Sequence, residues 1–315
     1  MRFALTEEQT ALRDATRELL AHRCPPDVVR AAWPGGDTDR VTGLWRELDE
    51  LGLVGALASG TVDDVGMAAL LTEVGYAAVP LPVAASAFLA ATLVDPLPGP
   101  VALVDDRAGG LTHFAAVASA FLVLDGSRVR LVDAGDAELV AVSTVDGSLR
   151  AARVRVPAGA GLELPGVDPA LLRDRADLAA AAELVGLGRR MLDLTVGYVS
   201  QRRQFGVPVG GFQAVAHPLA DALLRLEFAA PAVLAAACSL SGRDVSAAAV
   251  LAKEAAEEVA RAALQSHGAI GYTVEYDLHL YAKRAWALAS TVDTDAHLGR
   301  LAAALDLTHP AGGPR

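Results

Sequence analysis

The residues with most chemical potential lie in two short, glycine-bearing segments of the C-terminal half. The first reads Ser200-Gln201-Arg202-Arg203-Gln204-Phe205-Gly206-Val207-Pro208-Val209-Gly210-Gly211-Phe212-Gln213. It sets a guanidinium, Arg202, and a side-chain amide, Gln213, at the two ends of a Gly/Pro loop, a pair suited to phosphate and polar recognition. From composition alone, an ordinary helix connection with a solvated arginine pair is the stronger account. The second segment reads Gln265-Ser266-His267-Gly268-Ala269-Ile270-Gly271-Tyr272-Thr273-Val274-Glu275-Tyr276. Its small residues let a backbone approach a ligand closely. Taken alone, it is a helix C-terminus with glycine stops.

Other chemistries lack their signatures. There is no HExxH, no GxSxG, no Walker loop and no GxGxxG following a strand. The seven histidines are scattered, and Cys24 and Cys238 have no neighbour at metal-ligand or redox spacing. If the chain is an enzyme, its reactive group belongs to a cofactor. The 38 acidic and 27 basic residues give a net charge of −11, which argues against a nucleic-acid coat or a binder of anionic membranes. Lys253 and Lys283 are the only lysines. The longest apolar stretch, Val79 to Val94, is broken by Pro80 and Pro82 and falls short of the roughly 20 residues that a membrane helix needs. The N-terminus shows no apolar signal region before charge appears. These features predict a cytoplasmic protein with no membrane span and with reduced, buried cysteines.

The elements that must position the two segments separate by texture. With 315 residues, 53% of them hydrophobic, the chain suits about two domains and a sizeable core. From Leu5 to about residue 80, apolar residues recur at helical spacing. Thr6 before Glu7, Glu8 and Gln9 has the form of a helix cap. Leu44, Trp45, Leu48 and Leu51 precede Gly52, a plausible stop, and Met67 to Val74 predicts a helix ending at Gly75. From about 81 to 165, prolines and glycines become frequent and β-type runs begin at Val101, Ala120, Arg128 and Leu139. Asp125-Gly126 between two of them signals a tight hairpin. From 166 onward long helices return, with stripes at Leu184, Leu187, Met191, Thr195 and Tyr198 and at Val215, Leu219, Ala222 and Leu226. The order helical, β, helical bundle argues against a Rossmann fold, where strands and helices alternate.

Taken together and in this order, the two segments resemble the acyl-CoA dehydrogenase family. That family joins an N-terminal helical domain, a middle β domain and a C-terminal four-helix bundle. Its bundle carries an R-x-x-F-G-x-x-(x)-F-Q type segment and later Q-x-x-G-G-x-G-[YF]-x-x-E, which stand here as Arg202 to Gln213 and Gln265 to Glu275. The opening Phe3-Ala4-Leu5-Thr6-Glu7-Glu8-Gln9 and the segment Leu44 to Leu53 also look like the family's first helices. The resemblance implies a mainly α fold with a small β domain, divided near 1–80, 81–165 and 166–315. It implies FAD as cofactor, an acyl-CoA as substrate and an electron-transfer flavoprotein as electron acceptor. A carboxylate of such an enzyme removes the α-proton while the β-hydride passes to the flavin. Carried over by motif position, Arg202 would contact the FAD pyrophosphate, Phe205 would pack on the cofactor and Gln213 would also contact it. Gln265 and Gly268 would form the other FAD-facing loop, with the FAD at a subunit interface.

Departures from the family pattern bear on the chemistry. The middle region is short and lacks the T-E-P-x-A-G-S-D loop and the W-I-x-N strand. Ala269 replaces the second glycine of the G-G pair. Pro218, early in the helix after Gln213, removes an N–H and can shift or kink that helix. The family's usual Glu, in Y-E-G-T-x-x-x-x-R, aligns with Asp293 in Val292-Asp293-Thr294-Asp295, one methylene shorter. The alternative family position for the base, near Ala176 and Asp177, holds no Glu. Asp293 also sits just before a final helical run, where an aspartate caps. Two functions follow from the resemblance. One is FAD-dependent α,β-dehydrogenation of an acyl-CoA, alone or in a complex. The other is a non-catalytic subunit completing the FAD site of a homologous catalytic partner in an α2β2-type assembly. In either case a homo-oligomer or a homologous partner subunit is expected.

Overall fold

Thr6 starts the first helix as its sequence predicts. Its hydroxyl accepts from the Gln9 N–H at 3.1 Å, and the Thr6 N–H donates back to Gln9 Oε1 at 3.1 Å, so two of the helix's orphan donors are satisfied reciprocally. The computed structural model describes residues 5–307; Phe3 and Ala4 of the opening segment and residues 308–315 lie outside the described residues. The N-terminal helices are α1 (Glu7–Arg23), α2 (Pro26–Ala31), α3 (Asp39–Glu50) and α4 (Asp64–Ala77). Gly52, with φ 82°, ends α3 as expected. Gly75 does not end α4. The helix runs on to Ala77 and closes at Ala78, φ 51°. Gly75 serves packing instead, because a Cβ there would overlap the carbonyl oxygen of Glu183 in a neighbouring helix.

Residues 84–92 begin the middle region as helix rather than strand, with a π-helical turn over Ala84–Leu89 and a 3-10 turn over Ala90–Thr92. The strands follow: β1 (Val101–Asp105), β2 (Leu111–Thr112), β3 (Ala120–Asp125), β4 (Arg128–Asp133), β5 (Glu138–Ala141), β6 (Ala152–Arg155) and β7 (Leu162–Glu163). They form a sheet in the order β1-β3-β4-β7 and a smaller one in the order β2-β6-β5. β3 and β4 make the hairpin that Asp125-Gly126 signals, with Asp125 opposite Arg128. Side chains alternate across a strand. Thus Ala120, Leu122 and Leu124 join one apolar cluster with Leu89 and Leu172, while Phe121 and Val123 join another with Ala152 and Val154. β3 is continuously apolar because both of its faces are covered.

The C-terminal region consists of α5 (Pro169–Gln201), a two-stranded hairpin of β8 (Arg203–Gln204) and β9 (Val207–Pro208), α6 (Gln213–Ser239), α7 (Gly242–His267), α8 (Leu278–Ala289) and α9 (Thr294–Ala304). α5 is the central helix: it packs on α4, α6, α7 and α8. The predicted stripe along it is buried at Leu184, Leu187, Met191 and Thr195. Alanines at 248, 249, 252, 255, 256, 260 and 263 are buried on α7, so its neighbours approach closely. Pro218 and Pro231 both lie inside α6, and Pro218 does not displace the helix start from Gln213. By length and composition α6 can cross a bilayer; only one-third of its most apolar window is buried.

A buried ionic junction ties the three regions together. The Arg284 guanidinium, 3% exposed, donates to Asp146 Oδ2, to Ser148 Oγ at 2.8 Å and to the Val79 carbonyl at 2.9 Å. Cys24 is buried and its thiol is pushed up to about 12 by burial, which leaves it unreactive. Cys238, expected to be buried, is half-buried.

Candidate functional site

α5 ends at Gln201, and Arg202 turns the chain into extended backbone. Arg203 pairs with Pro208 and Gln204 with Val207, which leaves Phe205 and Gly206 as the two-residue turn. Their φ values, 51° and 85°, are both positive, as a type I′ hairpin turn requires. For a phenylalanine that conformation costs roughly 1–2 kcal/mol. Its ring is nevertheless 92% exposed, meeting only the edge of Phe212 at 6.1 Å between centroids. The Arg203 guanidinium is occupied locally, donating to the Gly206 carbonyl at 2.9 Å. The exposed Arg202 guanidinium has neither an ion pair nor a hydrogen bond among the described residues. Gln213 opens α6 with an exposed side chain.

The second segment closes α7. Gly268, φ 62°, takes the C-cap position, and its N–H donates to the Leu264 carbonyl. Gln265 and Gly268 are exposed. Beneath them His267, 4% exposed, stacks on Tyr198 with ring centroids 4.4 Å apart and contacts Tyr276 at 4.8 Å. Its Nδ1 lies 2.8 Å from the Ala263 carbonyl, and its Nε2 is buried without a partner among the described residues. Burial lowers its pKa, so the ring is neutral; the carbonyl assigns the proton to Nδ1. This stack joins the C-terminal ends of α5 and α7 to the start of α8. It brings Arg202, Phe205, Gln213, Gln265 and Gly268 to one end of the bundle, all facing outward. His267 falls within the second glycine-bearing segment of the sequence. Nothing in its local pattern separates a stacked, buried imidazole from a solvated one.

Asp293 is elsewhere. Its exposed carboxylate caps α9, accepting from the Ala296 N–H at 3.0 Å. The neighbouring Val292 carbonyl and Thr294 hydroxyl accept from Lys253 Nζ, each at 3.0 Å. Asp293 therefore stands beside the middle of α7, about 20 Å of helical rise from His267. Behind it, Ser246 Oγ lies 3.0 Å from His297 Nδ1, and His297 Nε2 is 3.9 Å from Asp177 Oδ2. The residue types are those of a hydrolytic triad, yet Ser246 is fully buried and the second gap exceeds a hydrogen bond. The row joins α7, α9 and α5. Burial pushes Asp177 up to about 6 against the pull of Arg107 and Arg300. A cleft of about 700 Å³, lined in part by Ser59, Thr92, Asp95 and Arg175, touches none of these groups.

Residues 170–291 match the family described as acyl-CoA dehydrogenase, C-terminal domain. The acyl-CoA dehydrogenase IpdE2 of Mycobacterium tuberculosis is 32% identical over 306 residues, covering 91% of this chain and 94% of that protein. The solved ChsE4-ChsE5 complex from Mycobacterium tuberculosis contains a chain similar in fold, with a TM-score of 0.79 at 23% identity; the match covers 98% of this chain and 100% of that one. A chain of the Tcur3481-Tcur3483 steroid ACAD gives a TM-score of 0.78 at 25% identity, over 96% of this chain and 98% of its own.

Proposed function

The chain belongs to the acyl-CoA dehydrogenase family, and from that premise we propose that it works in an assembly carrying out FAD-dependent α,β-dehydrogenation of an acyl-CoA. The observation that carries this reading is the outward-facing set at the bundle end. Phe205 is held in a strained conformation with its ring almost wholly exposed, beside an arginine that has no ion pair or hydrogen bond among the described residues. Strain of this kind persists where a site uses it. An aromatic ring, a free guanidinium and two amides, Gln213 and Gln265, fit the ring, phosphate and polar edges of FAD. Arg202 would hold the pyrophosphate, Phe205 would pack on the cofactor, and Gln265 and Gly268 would form the second wall. When bound, FAD supplies the hydride acceptor, and an electron-transfer flavoprotein would take the electrons onward. Facing away from their own core, these residues suit a cofactor shared with another subunit.

The test compares Arg202→Ala with Arg203→Ala in the assembled protein, reading FAD affinity by fluorescence titration. A charge-assisted contact to phosphate contributes about 1.5–3 kcal/mol, so Arg202→Ala should weaken binding by roughly 10- to 150-fold. Arg203, already bonded to Gly206, should matter little. Equal and negligible effects would show that the segment is only a helix connection.

A second reading, in which this chain is a non-catalytic partner completing the FAD site of a homologous catalytic subunit, is favoured by Asp293. As the side chain aligned with the family base, it is an exposed helix cap rather than a carboxylate in an apolar pocket. The ChsE4-ChsE5 relative is a complex of two named chains, which fits such an organisation.

A further inference from the structure

The cleft of about 700 Å³ opens where the connection after α3, the end of the 3-10 turn and the first part of α5 meet. Leu57, Ala58 and Ser59 form one wall, Leu93 and Asp95 another, and Arg175 of α5 the third. Its size is that of a site for a small organic molecule. It is remote from the bundle end, because Arg175 and Arg202 lie about 40 Å of helical rise apart on α5.

Arg175 is held firmly but is short of acceptors. Its Nη2 donates to Asp64 Oδ1 at 2.9 Å, and the guanidinium lies 5.4 Å from the centroid of the Phe88 ring. These two contacts pre-organise the group, so a ligand need not order it. The Nε is buried with no hydrogen-bond partner, and Nη1 makes no hydrogen bond, among the described residues. A guanidinium can only donate, and an enclosed donor left unpaired carries a cost that a bound acceptor removes. The hydroxyls of Ser59 and Thr92 are turned to carbonyls of their own turns, Ala56 at 3.2 Å and Leu89 at 2.7 Å. Arg175 is therefore the side-chain donor left to a ligand.

The charge around the cleft selects among acceptors. Asp64 offsets Arg175, and the exposed Asp95 adds a second carboxylate, in a chain whose net charge is −11. An anionic ligand would meet like charge there. An uncharged carbonyl takes the N–H without adding charge, while Leu57, Ala58 and Leu93 suit an apolar body. We propose that this cleft binds an apolar molecule carrying an uncharged carbonyl, a ketone or an ester, which accepts a hydrogen bond from Arg175. A plain hydrocarbon would leave the donor unpaired, the circumstance in which sites discriminate strongly.

The test measures binding of 2-ethylnaphthalene, 2-acetylnaphthalene and 2-naphthoate to the assembled protein by equilibrium dialysis. The ketone should bind about tenfold tighter than the hydrocarbon, the contribution of one hydrogen bond from a charged donor, and tighter than the carboxylate. Its advantage over the hydrocarbon should vanish in Arg175→Met. That variant should keep its fold, which circular dichroism checks, because Asp64 opens α4 and a carboxylate is favoured at a helix N-terminus. Ala58→Trp, at an exposed lining position, should fill the cleft and abolish binding of all three compounds. Equal binding of ketone and hydrocarbon, a ketone advantage that survives Arg175→Met, or binding that survives Ala58→Trp overturns the proposal. So does naphthoate as the tightest of the three, or binding of none. The carbonyl can belong to a free molecule or to the far end of an acyl-CoA, the latter resting on the dehydrogenase reading above. An ω-oxo acyl-CoA that displaces 2-acetylnaphthalene identifies the acyl-CoA, and one that binds without displacing it identifies a free molecule. An acyl-CoA that does not bind at all counts against the dehydrogenase reading, while the naphthalene series still decides the cleft.

Discussion

A strongly desolvated carboxylate should leave its mark on stability. The folded-state pKa of Glu183 lies near 7, against 4.5 for the free group, so the folded chain holds this proton where the unfolded chain has released it. Stability contributed by that proton is present below about pH 4.5 and is lost as pH rises through about 7. Glu183→Gln removes the titration. Its unfolding free energy should exceed that of the native sequence by roughly 1–3 kcal/mol at pH 8 and by little at pH 4.5, a range discounted for the partial accessibility of the group. Chemical denaturation at both pH values checks this; identical pH dependence of the two proteins would mean that Glu183 is paired or solvated. At Asp293 the cap and the proposed chemistry separate cleanly. Asparagine caps as well as aspartate, so Asp293→Asn should change stability by under about 0.5 kcal/mol, while Asp293→Ala should lose about 1 kcal/mol. With the fold preserved, turnover of the assembly reads chemistry alone. A fall of about 100-fold in Asp293→Asn assigns the proton acceptor to this side chain, and unaltered turnover assigns the chain the partner's role.

Helix contacts carry the next scale. α4 and α5 meet at two glycines, Gly75 and Gly186, where a Cβ would overlap the carbonyl oxygens of Glu183 and Thr72. Backbone cannot yield as a flexible side chain does, so Gly186→Ala must push the helices apart. It should destabilise the protein by about 3 kcal/mol. Gly197, on the same helix, is exposed with nothing within 4 Å of its Cβ position; there alanine should stabilise by about 0.5–1 kcal/mol through helix propensity. Opposite signs within one helix would establish close approach as the cause, and a stabilising Gly186→Ala would rule it out. The same contact explains why Gly75 reads as a stop yet is none. Local pattern shows a glycine after an apolar run, while its partner is a carbonyl more than a hundred residues away.

At the scale of the whole molecule, the bundle leaves apolar surface uncovered. Leu223, Leu224 and Phe228 on α6 are exposed, Phe228 to 66%. With Phe205 and Phe212 nearby in sequence, they form more apolar exposure than a lone soluble chain usually shows. An alanine-rich helix of this kind permits close docking of a second subunit, and the charge of −11 opposes unspecific association. Sedimentation at micromolar concentration should therefore show a mass above that of the 32.4 kDa chain, or a complex once a homologous partner is added. Phe228→Glu should weaken that association at least tenfold. A monomer that neither self-associates nor takes a partner would contradict the assembly and, with it, the shared cofactor site.

The order of helical, β and bundle regions, the first helix cap at Thr6 and the hairpin at Asp125-Gly126 are all legible in the amino-acid sequence. So are the two segments that end α5 and α7, because each of these is encoded by spacing and turn chemistry within a few residues. The aspartate cap of α9 was legible for the same reason. Tertiary packing alone brings these two segments to one end of the bundle, since the link is a stack of Tyr198 on α5, His267 on α7 and Tyr276 in the loop before α8. It decided equally that residues 84–92 are helical, where prolines and glycines suggested a β region, because the turn is held by packing against α5. Glu183 was invisible for the deepest reason: its carboxyl is pushed up by burial, and only folding strips its water.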